Sequence, residues 1–131
     1  MAISVLVVDD DIDTRDVFAT MLEMQDFDVV GKAKDGKEGY EIYEKLRPDV
    51  VLLDIMMPNY DGFYAMEKIK NLDPDAKIVV VTGDLTEKTA KRLTELGAIE
   101  MLYKPYEIDD VAKVVNAAAQ GKKLYAPDLI E

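Results

Sequence analysis

The stretch Ile3-Ser4-Val5-Leu6-Val7-Val8-Asp9-Asp10-Asp11 decides the fold. Its apolar, β-branched half reads as a buried strand. Three carboxylates at the C-terminal end of such a strand repel one another, so a bound cation or a raised pKa must offset the repulsion. In open α/β sheets, ligands bind outside the carboxyl ends of the strands. An acidic cluster at that place points to a hard divalent metal held by oxygen.

Outward from this stretch, the chain alternates strand and helix patterns about five times. That alternation predicts an α/β fold with a parallel sheet and helices on both faces. The expected strands are Ser4–Val8, Asp28–Gly31, Val50–Leu53, Lys77–Val81 and Met101–Tyr103. The third and fourth are apolar on both faces, as central parallel strands are, and the second is the least apolar and belongs nearer an edge. Helical spacing links Val17, Phe18, Met21 and Leu22; Ile42 and Leu46; Met66 and Ile69; and Leu93 and Leu96. A last helix carries Val111, Val114, Val115 and Ala118, with Gly121 as its C-cap.

The 131 residues suit one domain, expected over 1–121 with a short tail or linker start at 122–131. No apolar run approaches the roughly 18 residues of a membrane span, and Met1-Ala2 opens directly into a strand, so a cytoplasmic protein without membrane contact is expected. The absence of cysteine and histidine excludes disulfides, thiolate or imidazole metal sites, and Cys or His catalysis. A net charge of −11 disfavours direct binding of nucleic acid.

Two motifs are decoys. Gly31-Lys32-Ala33-Lys34-Asp35-Gly36-Lys37 matches a phosphate-binding loop, but Glu38 stands where Ser or Thr must hold the metal. Asp9-x-Asp11-x-Asp13 opens like a calcium loop, but Thr14 and Thr20 stand where glycine and a bidentate Glu are required. More telling is Asp54, directly behind Val50-Val51-Leu52-Leu53, with the turn-rich Met57-Pro58-Asn59-Tyr60-Asp61-Gly62 after it. Such a carboxylate can share a cation with the first-strand acids, or act as a nucleophile. Thr82 ends the fourth strand and Lys104-Pro105 the fifth. Singly, the threonine reads as a helix cap and the lysine as a surface charge. Together with the acids they suit phosphoryl transfer to a carboxylate.

The set Asp9-Asp10, Asp54, Thr82 and Lys104-Pro105 resembles the receiver domain of two-component response regulators, most closely the stand-alone chemotaxis type. The resemblance spans about Ser4 to Gly121. It implies a flavodoxin-like (βα)5 fold with strand order 2-1-3-4-5. It also implies a Mg2+-dependent phosphoacceptor switch, with Asp54 phosphorylated by a sensor histidine kinase or phosphotransfer protein. Asp10, Asp54 and the backbone carbonyl of Met56 would ligate Mg2+, with Asp9 acting through water. Lys104, Thr82 and the Gly83 N–H would hold the phosphoryl group, and Asp11 would be a bystander. The fourth helix, fifth strand and fifth helix would present the state to a downstream protein, through a surface including Met101 and Tyr103. The protein would be a monomer or a phosphorylation-dependent dimer.

Family members usually carry Tyr or Phe three residues before the motif lysine; here Met101 stands there, leaving Tyr103 and Tyr106 as further switch candidates. Met56 and Asp84 occupy positions that influence dephosphorylation rate in the family. Two other readings stay open. A phosphohydrolase with an aspartyl intermediate would need its second acid at Asp11 and Thr or Val where Asp13 stands. A receiver-like scaffold that is not phosphorylated is the other.

Overall fold

In the computed structural model, residues 2–57, 60–83, 86–103 and 107–122 are described. Five strands alternate with five helices: β1 (Ser4–Val8), α1 (Ile12–Met24), β2 (Asp28–Ala33), α2 (Gly36–Leu46), β3 (Val50–Asp54), α3 (Gly62–Leu72), β4 (Ile78–Thr82), α4 (Glu87–Glu95), β5 (Glu100–Tyr103) and α5 (Ile108–Ala119). The sheet is parallel throughout, in the order β2-β1-β3-β4-β5. This is the expected order, and β2 lies at an edge as its composition predicts. Strand ends differ from expectation by one or two residues. β2 runs on to Ala33, and Asp54 and Thr82 are the last residues of their strands. Ladder pairing, which composition does not encode, sets those ends.

Alternation along the strands builds two cores. Leu6, Val8, Val51, Leu53, Ile78, Val80 and Met101 face α2, α3 and α4, where Tyr43, Met66, Ile69 and Leu93 meet them. Val5, Val7, Val50, Leu52, Val79, Val81 and Leu102 face α1 and α5, where Phe18, Leu22, Val111, Val114 and Val115 close the layer. The spacing assigned Val17 and Leu46 to buried faces, yet both are more than half exposed. The helical period admits a wide stripe, and on α1 only its centre, Phe18, Ala19 and Leu22, is buried.

Chain reversals follow local chemistry. α4 and α5 end at Gly97 (φ 101°) and Gly121 (φ 76°), in the left-handed region where a Cβ is costly. In each, the next residue's N–H reaches back into the helix: Ala98 to the Leu93 carbonyl at 3.0 Å, and Lys122 to Ala117 at 2.9 Å. Gly121 thus lies one position beyond the cap itself, which is Gln120. α1 ends the same way with Asp26 at φ 68°. At the other end of the sheet, Ser4 and Asp49 close a reciprocal ring. Ser4 N–H and hydroxyl donate to Asp49 Oδ2 (2.9 and 3.1 Å), and Asp49 N–H donates to Ser4 Oγ (2.8 Å).

Candidate functional site

β1 and β3 run side by side with Val8 opposite Leu53, so Asp9 and Asp54 emerge together from neighbouring strands. Asp9 extends the Val5–Val7 series and Asp54 the Val50–Leu52 series, which places both above the same core layer. Asp9, Val7, Val8, Phe18, Leu52, Asp54 and Val81 line a small cavity of about 10 Å³ beneath the acids. Asp9 and Asp54 are buried, whereas Asp10 is exposed. One carboxylate oxygen from each of Asp9, Asp10 and Asp54 lies within 4.8 Å of the others.

Backbone groups fix these acids. Asp9 accepts a hydrogen bond from Asp11 N–H at 2.9 Å. Asp54 Oδ1 accepts from Met56 N–H at 3.2 Å. The Ile55 carbonyl accepts from both Met57 N–H and Gly62 N–H, each at 3.2 Å, which anchors the connection above Asp54. Asp61 then caps α3 by accepting from Tyr64 N–H at 3.0 Å.

The donor set is all oxygen, the chemistry a hard cation requires. Opposite ligands of an octahedral Mg2+ stand about 4 Å apart, so carboxylate oxygens within 4.8 Å need only ordinary side-chain rotation to close on one ion. The residues present fit the metal.

Beside this cluster, Asp54 pairs with Val81, which puts Thr82 one residue further along β4. Thr82 is 1% exposed. Gly83 lies at the surface, and a Cβ added there would meet nothing within 4 Å among the described residues. The Met56 side chain points outward, 67% exposed. Lys104, Tyr106 and Asp84 lie outside the described residues, as do Pro58 and Asn59.

One expectation is corrected. The resemblance implies a place for Met101 on the relay surface, but it is 4% exposed and packs in the core with Val80 and Leu93. Alternation explains the difference, because the interior position on β5 points at α4's single buried side chain. Tyr103, two residues on, shares that face and is only partly buried.

Sequence reasoning missed two supporting roles. Asp11 is the N-cap of α1, its carboxylate accepting from Asp13 and Thr14 N–H. An aspartate just before an amphipathic stretch is the signal that identifies it. Arg15, one turn further on, donates from Nη1 to the Asp9 carbonyl at 3.4 Å, and only the fold reveals this. The phosphate-loop decoy also resolves: Asp35 caps α2, and Glu38 turns back to accept from Lys34 N–H at 3.2 Å. Among the described residues, no helix is long and apolar enough to cross a membrane.

Comparison with known proteins agrees with this geometry. A family model described as the response regulator receiver domain matches residues 5–116. Protein CcdB of Bacillus subtilis is 37% identical over 112 residues, covering 86% of this chain and 93% of that protein. The transcriptional regulatory protein LiaR of the same organism is 36% identical over 121 residues, and the match spans 92% of this chain but 57% of LiaR. Among solved structures, the CheX–CheY–BeF3–Mg2+ complex from Borrelia burgdorferi superposes with a TM-score of 0.81 at 27% identity, covering 85% of this chain and 84% of that one.

Proposed function

This chain belongs to the response regulator receiver domain family, and on that premise we propose that it is a Mg2+-dependent switch phosphorylated on Asp54. The observation that carries the reading is the convergence of Asp9, Asp10 and Asp54 at adjoining strand ends. Asp10, Asp54 and the Met56 carbonyl would hold the metal, with Asp9 acting through water. When bound, Mg2+ offsets negative charge on the phosphoryl oxygens.

The chain's own residues supply the rest. Asp54 attacks the phosphorus of a phosphohistidine on a sensor kinase or phosphotransfer protein; its P–O bond forms as the P–N bond breaks, and the imidazole leaves. The Met56 N–H on Oδ1 orients the carboxylate for that attack. Thr82, the Gly83 N–H and Lys104 receive the phosphoryl oxygens, and burial of Thr82 beside Asp54 supports its part. Among the described residues nothing crowds the Gly83 position, which supports room for the group there.

Phosphorylation would draw Thr82 toward Asp54 and bias a pre-existing equilibrium of α4, β5 and α5. Of the switch candidates, Tyr103 would report that state at the surface, which its partial burial supports, while Met101 is buried and Tyr106 follows the Lys-Pro pair in sequence. A downstream protein reading this face must bind the phosphorylated form more tightly. Residues 1–121 would be the receiver unit and 122–131 a tail or linker start, in a monomer or a phosphorylation-dependent dimer.

The test is to incubate the protein with Mg2+ and acetyl phosphate and follow intact mass, with Asp54→Asn alongside. Gain of one phosphoryl group by the wild type alone is expected. A wild type that stays unmodified under conditions that label another receiver would sink the proposal.

A further inference from the structure

The acidic trio has a cation behind it. Arg15 is partly buried, and its N–H closes the first turn of α1 on the Asp11 carbonyl at 2.9 Å. From there its Nη1 donates to the Asp9 carbonyl at 3.4 Å. Its Nε is buried with no hydrogen-bond partner among the described residues. A buried donor left unmet is costly, so hydrogen bonding does not account for a charged side chain at this place. Charge does. Three carboxylates converge there, and their mutual repulsion is eased by a positive group nearby. Bond lengths keep the carbonyl and carboxylate oxygens of one aspartate within about 5 Å of each other. Nη1 therefore stands within about 8 Å of the Asp9 carboxylate, and one oxygen of Asp10 and one of Asp54 lie within 4.8 Å of an Asp9 oxygen.

Resting on the reading of these acids as a Mg2+ site, we propose that Arg15 is a built-in counter-charge to the trio, which weakens its hold on Mg2+. A guanidinium stays charged throughout the working pH range, so this opposition is constant. Two positive charges that share one negative cluster repel each other, and the ion binds less tightly than the acids alone would hold it. With about 8 Å between the guanidinium and a divalent ion in water, affinity falls about six-fold without screening and about two-fold at physiological ionic strength. The Mg2+ concentration at which the site fills is thus set by Arg15 as well as by the acids.

Wild type, Arg15→Gln and Arg15→Lys would be titrated with Mg2+ alone, at about 20 mM and about 0.5 M salt, and followed by amide NMR shifts. At low salt Arg15→Gln is expected to bind about three- to six-fold more tightly than wild type. At high salt, where the Debye length is about half the separation, the gain should fall below about two-fold. Arg15→Lys keeps the charge and should stay closer to wild type than Arg15→Gln does. A merely structural role would move both variants alike and would not follow salt. If Arg15→Gln binds no more tightly at low salt, if its gain survives high salt, or if Arg15→Lys gains as much, the counter-charge is overturned while the Mg2+ reading stands. If the wild type binds no Mg2+, that reading falls and this inference falls with it.

Discussion

Gly62 opens α3 at the point where the connection from Asp54 closes. Its φ lies outside the left-handed region, so the requirement for glycine is one of space. A Cβ built there would stand 2.7 Å from the Asp54 carbonyl oxygen and 2.8 Å from Ile55 Cα. Both are backbone atoms, which cannot swing aside as a side-chain tip does. Restoring ordinary contact at 3.4 Å requires a displacement of about 0.7 Å in the strand end that carries Asp54. Overpacking of this kind costs about 1–3 kcal/mol, and the better helix propensity of alanine returns under about 1 kcal/mol at most. Gly62→Ala should therefore destabilise by about 1–2 kcal/mol, lowering the urea midpoint by about 1 M. Because misplacement of reacting groups by about 1 Å can cost a hundred-fold, beryllofluoride affinity should fall at least about ten-fold. Gly83→Ala is the control, since its Cβ meets nothing within 4 Å among the described residues; stability there should stay within about 0.5 kcal/mol. A Gly62→Ala protein with wild-type urea midpoint and mimic affinity would refute the steric argument.

Three further outcomes are expected. Asp26→Gly relieves a left-handed residue and removes a carboxylate from the C-terminal end of α1, so the protein should gain about 0.5–1 kcal/mol in chemical denaturation. Tyr43→Phe deletes the 2.7 Å bond from the buried hydroxyl to Asp73 and should cost about 1–2 kcal/mol at pH 7. Chiefly that hydroxyl, then the Asp75 N–H and the nearby Arg47 and Lys70 charges, hold the Asp73 carboxyl below its ordinary value against the opposing effect of burial. A depressed pKa contributes stability above the unfolded value near 3.8 and loses it as pH falls through the lower folded value. The Tyr43→Phe penalty should accordingly shrink in urea titrations below about pH 4. Asp10→Asn removes the exposed carboxylate of the acidic trio and should weaken Mg2+ binding at least about ten-fold by calorimetry, with little change in metal-free stability.

Much of this was legible in the chain because the features are periodic or local. Val-Val-Leu-Leu and Ile-Val-Val-Val announce central strands through their apolar faces, and β3 and β4 are buried throughout. Asp9, Asp10 and Asp54 could be placed together because each follows such a run. What resisted reading depends on distant partners. Nothing local distinguishes Val17 from Phe18 on α1; only packing against the sheet decides which is covered. Met101 reads as a switch position on a face, yet its environment is set by Leu93 on another helix. Arg92 and Phe63 lie 29 positions apart in sequence, and no pattern in either segment predicts that they stack.

The ring between Ser4 and Asp49 carries a consequence for genetics. It lies at the opposite end of β1 and β3 from the acids, where it ties the starts of the two strands together in the register that their buried faces specify. A slip of one residue would carry Asp54 about 3.3 Å along the strand and turn it to the other face. In a deep mutational scan scored on signalling, Ser4 and Asp49 should therefore rank among the intolerant positions despite touching no ligand. An observer ranking sites by phenotype alone would draw the active centre around both ends of the sheet.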